Sequence, residues 1–93
     1  MAWDPVTVTR RDVLRAVKEY DRMGPDQFFA QHGFGPAKRY LLVYNHRSYP
    51  SKAILGVAYE FATGYRLGSD DFEGGKSGAA AVLRRLGFEI RDT

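Results

Sequence analysis

The sequence predicts an α+β domain, with four to five short helices around a small antiparallel sheet whose strands lie near 40–44, 47–49 and 88–91. Three observations lead there. Apolar side chains recur at helical spacing in two long stretches, at Val13, Leu14, Val17 and Tyr20 and again at Ile54, Leu55, Ala58 and Phe61. Two short stretches, Tyr40–Tyr44 and Phe88–Arg91, are rich in β-formers or alternate in polarity. Glycine and proline separate these pieces at intervals too short for a second domain, and 93 residues are the size of one.

In chain order, Thr9 is suited to cap the first helix, because Asp12 stands where a carboxylate reaches back to the cap amide. Val8 and Val13 can staple across that cap, and Trp3 is expected to pack on the domain. Gly24-Pro25 stops this helix and starts a second, in which Pro25 suits the first position and Asp26 the positive end of the dipole. Phe28 and Phe29 supply its buried face, and Gly33 closes it. After the strand 40–44, Asn45-His46-Arg47 turns the chain, Ser48-Tyr49 returns it, and Pro50 opens the third helix. Gly56 lies inside that helix at a cost of about 1 kcal/mol against alanine, which predicts close packing there. Thr63-Gly64 ends it. Ser69-Asp70-Asp71 can cap a short turn holding Phe72, and a last helix is expected from Ala79 to Leu86, with Gly87 just past its end.

Charge is unevenly placed. Residues 36–59 hold Lys38, Arg39, Arg47 and Lys52 and no acid, while residues 1–35 balance and residues 60–93 are slightly acidic, so the net charge of +3 comes from the middle. A local excess of one sign attracts polyanions, nucleic acid foremost. The absence of cysteine excludes a disulfide framework and a thiolate zinc site and fits a reducing cytoplasm. No leader or membrane span is read, and Thr93 follows the last strand so closely that the chain reads as a domain excised from a longer protein.

Two helix starts carry the parts of an anion site. One is Tyr49-Pro50-Ser51-Lys52 and the other Gly74-Gly75-Lys76-Ser77; each combines free amides, a hydroxyl and an ammonium. The plainer readings are a helix cap at Ser51 and a simple turn at Gly74-Gly75. Gly-Gly-Lys-Ser is not a Walker A loop, because Asp70 stands where the earlier glycine is needed, so nucleotide hydrolysis is excluded. At the turn, Asn45 and Arg47 are side chains whose paired donors and acceptors match base edges; the plainer reading is a solvated hairpin tip, where Asn suits positive φ. Tyr44 and Tyr49 flank that turn and could stack on an unpaired base, although alternation puts Tyr40, Leu42 and Tyr44 on one, core-facing side. The basic residues of the first helix, among them Arg11, Arg15 and Lys18, read as a solvated face balanced by Asp12, Glu19 and Asp21. His32 and His46 have no acidic partner nearby in sequence, and no motif points to a metal, a cofactor or catalysis within the chain.

At this point the sequence resembles a family. The strings HGFGPAKRYLLVYNHRSYPSKAILGVAYEFATG, LGSDDFEGG and AAVLRRLGFEI resemble the N-terminal head domain of bacterial McrA-like, modification-dependent (type IV) HNH restriction endonucleases. The shared pattern is the Tyr49–Ala53 helix start, the Phe72–Gly75 turn and the Leu86–Phe88 closing strand. The resemblance implies a DNA-associated head placed ahead of a modified-DNA reader and an HNH nuclease, neither of which fits in this chain. It carries over no catalytic residue.

The reading is therefore a DNA-binding module for duplex DNA, modified or not. Lys38, Arg39, Lys52 and Lys76 would neutralise phosphates, with Gly75 giving the backbone close approach. Ser51 and Ser77 would donate to phosphate oxygens, and Asn45, His46 and Arg47, flanked by Ser48 and Tyr49, would reach a groove. The alternative is a protein-interaction or dimerisation head using Tyr44, Tyr49 and Tyr65.

Overall fold

A computed structural model describes residues 7–35, 40–68 and 78–92. The order of elements is α1 (Arg10–Met23), α2 (Pro25–His32), β1 (Tyr40–Tyr44), β2 (Arg47–Pro50), α3 (Ser51–Thr63), α4 (Ala79–Arg85) and β3 (Glu89–Asp92). The α+β class is thus what the sequence predicts, with four helices and three strands among the described residues. The expected turn around Phe72, together with Trp3, Lys38, Arg39, Gly75, Lys76 and Ser77, lies outside them.

The first helix begins as its sequence dictates. Thr9 accepts from the Asp12 amide, and the Asp12 carboxylate accepts from the Thr9 amide at 3.0 Å, a complete capping box. Val13, Ala16 and Val17 are buried on one side of α1, which packs mainly against α3. Gly24, at φ 83°, lets the chain reverse into α2 without the backbone strain that any other residue would bear there.

β1 is the central strand, with order β2-β1-β3 and both pairings antiparallel. β2 ends at Pro50 rather than Tyr49, and β3 runs one residue later than expected, over 89–92. Asn45 and His46 both take positive φ, 54° and 65°, so Tyr44 pairs directly with Arg47 around a two-residue turn. Leu42 faces inward and is fully buried, and the outer side of the sheet carries Val43 opposite Ser48 and Glu89.

The third helix is the core. Residues 53–59 are all buried, and burying side chains such as Ile54 and Leu55 contributes roughly 1.5–3 kcal/mol each. A Cβ at Gly56 would lie 2.8 Å from Cε2 of Phe34, so the close packing expected there is real and leaves no room for alanine. α4 ends at Arg85, one residue short of the prediction, and Gly87 at φ 91° turns the chain so that the Phe88 amide reaches the Leu83 carbonyl at 3.0 Å.

At the end of α2, His32 is buried against the Phe28 ring, with centroids 4.9 Å apart. Its Nδ1 lies 3.9 Å from the Glu60 carboxylate, and its Nε2 has no hydrogen-bond partner among the described residues. Burial lowers the pKa of this imidazole, with Glu60 pulling the other way. Among the described residues, no helix is long and apolar enough to cross a membrane, and no cluster of His, Asp and Glu could hold a metal ion.

Candidate nucleic-acid interface

At the start of α3 the hydroxyl is closed to an outside ligand. Pro50 occupies the capping position, and the buried Ser51 hydroxyl donates to the Tyr40 carbonyl at 2.9 Å. Ser51 therefore ties α3 to β1, which corrects its expected role as a phosphate donor. The physical reason is local: the chain passes from β2 into α3 with no loop between them, so the first helical side chain lands under the neighbouring strand.

Tyr49 is also interior, 2% exposed. Its ring meets Tyr20 edge-on at 5.3 Å, and its hydroxyl lies 3.0 Å from both Asp21 carboxylate oxygens. Burial, and then the bond to Asp21, push the phenol pKa up, while Arg47 acts in the opposite direction. The hydroxyl thus stays a donor, and β2 is bolted to α1. Tyr49 cannot be a stacking platform or an exposed DNA contact. The aromatic surface patch expected at Tyr44, Tyr49 and Tyr65 loses its middle member; Tyr65 is exposed and Tyr44 half-buried.

That bolt creates the site. Arg47, whose side chain is largely exposed, lies 3.5 Å from Asp21 on α1. Between α1 and the hairpin tip runs an open groove of about 900 Å³. Arg11, Arg15 and Lys18 enter it from α1, and Tyr44, Asn45 and Arg47 from the hairpin. Leu14 and Val17 add apolar wall, and among the described residues Asp21 is the one acid on the lining. Four cations against one carboxylate leave a formal excess of three positive charges in a concave space, where a field is focused.

The sequence missed the α1 half of this groove, where a solvated face was expected. A signal was present: at 100° per residue Arg11, Arg15 and Lys18 fall within about 60° of one another, with Asp12 and Glu19 beyond one edge of that arc. Neighbouring basic residues do behave as a surface. Arg22 donates to Glu19, with its Nε 2.8 Å from the carboxylate, and Arg15 also lies over the Phe61 ring at 4.3 Å. Arg10 points away, covering Phe88 at 4.3 Å and donating to the Leu86 carbonyl at 3.1 Å.

Strand alternation divides the predicted turn residues. Asn45 and Arg47 line the α1 groove, whereas His46 and Ser48 line a smaller hollow on the outer side of the sheet, with Glu89 and Arg91. Asn45 borders both. Lys52 is partly exposed in the first turn of α3, apart from the groove lining.

No curated protein matches the chain. A solved structure, that of the type IV phosphorothioation-dependent restriction endonuclease ScoMcrA, is similar to it at 40% identity and a TM-score of 0.67, covering 92% of this chain and 13% of that one. The chain thus spans a small part of that protein's length. Residues 6–92 match the model of the family described as ScoMcrA-like, N-terminal head domain, and the chain belongs to that family.

Proposed function

We propose that this head domain is a DNA-binding module of a type IV restriction endonuclease, and that it grips duplex DNA by the groove between α1 and the hairpin. The single observation that carries the reading is the convergence of Arg11, Arg15, Lys18 and Arg47, from two separate elements, on one concave surface. Cations so arranged release counterions when they meet phosphates, which supplies affinity without sequence preference. Asn45 at the rim is the side chain best suited to add base contact. Lys38, Arg39, Lys52, Gly75, Lys76, Ser77 and His46 remain candidate contacts of the same module, in secondary roles.

The similar nuclease is phosphorothioation-dependent, so modified DNA is the natural ligand to try first. In this reading the cutting chemistry, of HNH type, and a dedicated modification reader belong to other parts of a longer chain, and the whole acts in the cytoplasm. The test is fluorescence anisotropy of the protein with matched duplexes, unmodified, phosphorothioated or carrying 5-methylcytosine, across a salt series. A fall in log affinity with log salt, at about 0.9 per phosphate contacted, is the expected result. Preference for one modified duplex would make the head itself a reader. Absence of binding to all of them at low salt would reject the proposal in favour of a protein-interaction role.

A further inference from the structure

The groove lining is more mixed than a phosphate track needs. Phosphates are met by cations and by hydroxyl and amide donors, not by apolar wall or carboxylate. Here Leu14 and Val17 form apolar wall, the Tyr44 ring lines the space while Phe88 braces it edge-on at 6.1 Å, and a carboxylate, Asp21, sits among the cations. An acid repels phosphate, but it accepts a hydrogen bond from a base amino group, and the Asn45 amide can both donate to and accept from a base edge. Apolar and aromatic surface is useful only to a base whose face is free, since paired bases in a duplex keep their faces stacked. The groove volume, about 900 Å³, falls within the range of roughly 300–1,000 Å³ found for small-molecule sites.

We propose that the groove between α1 and the hairpin receives one unpaired nucleotide of a DNA strand, with its base against Tyr44 and Leu14 and its flanking phosphates on Arg11, Arg15 and Lys18. The inference rests on the DNA-binding reading and sharpens it. Asn45 faces the base edge, beside Asp21, whose carboxylate is also held by Arg47 at 3.5 Å and keeps further lone pairs for a base amino group. Tyr49 holds Asp21 in place from the interior, so the carboxylate is pre-positioned before the base arrives.

The experiment compares three duplexes of one length and sequence at one salt concentration: fully paired, with a single-nucleotide bulge, and with an abasic bulge that bends the backbone alike but lacks the base. The base-bearing bulge is expected to bind at least tenfold more tightly than either of the others. A 2-aminopurine placed in the bulge is expected to change its emission on binding. Asn45→Gly, which keeps the positive φ of the turn, is expected to bring the ratio of bulged to paired affinity down towards one. Equal binding of all three duplexes, or of the two bulges, overturns the inference and leaves the groove a backbone clamp. If none of the three binds at low salt, the DNA-binding reading fails and this inference falls with it.

Discussion

The start of α3 and the flank of α1 teach opposite lessons. The start of α3 has the residue types of an anion site, yet its hydroxyl is buried and bonded to Tyr40, and its capping position is a proline. The flank of α1 has the residue types of an ordinary solvated helix, yet Arg11, Arg15 and Lys18 wall a groove because β2 is fastened beside them. Whether a polar side chain serves a ligand depends on which of its atoms the fold has already engaged, and only tertiary contact decides that.

The largest effect expected from this contrast is on binding. Replacing Arg11, Arg15 and Lys18 together by alanine should lower duplex affinity about a hundredfold at 0.15 M salt, and cut the salt slope by about 2.7, if each neutralises one phosphate. Stability should fall only by the lost contact of Arg15 with the Phe61 ring, about 0.5–1 kcal/mol, and unchanged affinity would break the assignment of this flank. The next effect is on the bolt between the two regions. Tyr49→Phe removes a hydrogen bond to a carboxylate and should cost about 1.5–2 kcal/mol in denaturant unfolding, with a looser Arg47 as its second consequence.

Ser51→Ala should cost about 1 kcal/mol by removing its hydrogen bond to the Tyr40 carbonyl, and it should leave DNA affinity of the folded protein as it was. A loss of affinity at full stability would return Ser51 to the ligand. The smallest effect concerns His32, away from both regions. Its folded-state pKa lies below 6.5, so the unfolded chain takes the proton more readily. The contribution to stability is full above pH 6.5 and is lost as pH falls towards and through the folded value. Melting temperature followed from pH 7 downward should show that loss, and His32→Phe should flatten its first part.

Local rules carried much of the fold into legible form. The capping box at Thr9 and Asp12, the turn into α2 at Gly24-Pro25, the hairpin at Asn45-His46 and the stop at Gly87 each depend on residues a few positions apart, and each was readable for that reason. Gly56 was readable as a point of close approach, although its partner, Phe34, was not. Element ends moved by a residue at Pro50, Arg85 and Asp92, where pairing with a neighbour extends or trims what propensity begins.

The candidate site was legible only by half. The sequence by itself determined the family, the α+β elements, the basic turn and the positive φ at its tip, because motifs and short-range sterics are written in adjacent residues. The tertiary structure alone decided that Tyr49 and Ser51 are interior, that Arg47 parts from His46 while Asn45 borders both sides, and that α1 supplies three of the four cations on the groove lining among the described residues. Contacts between residues distant in the chain fix those outcomes, Tyr49 to Asp21 across 28 positions and Ser51 to Tyr40 across 11. Side-chain periodicity shows which way a residue faces on its own element, but not what stands opposite it.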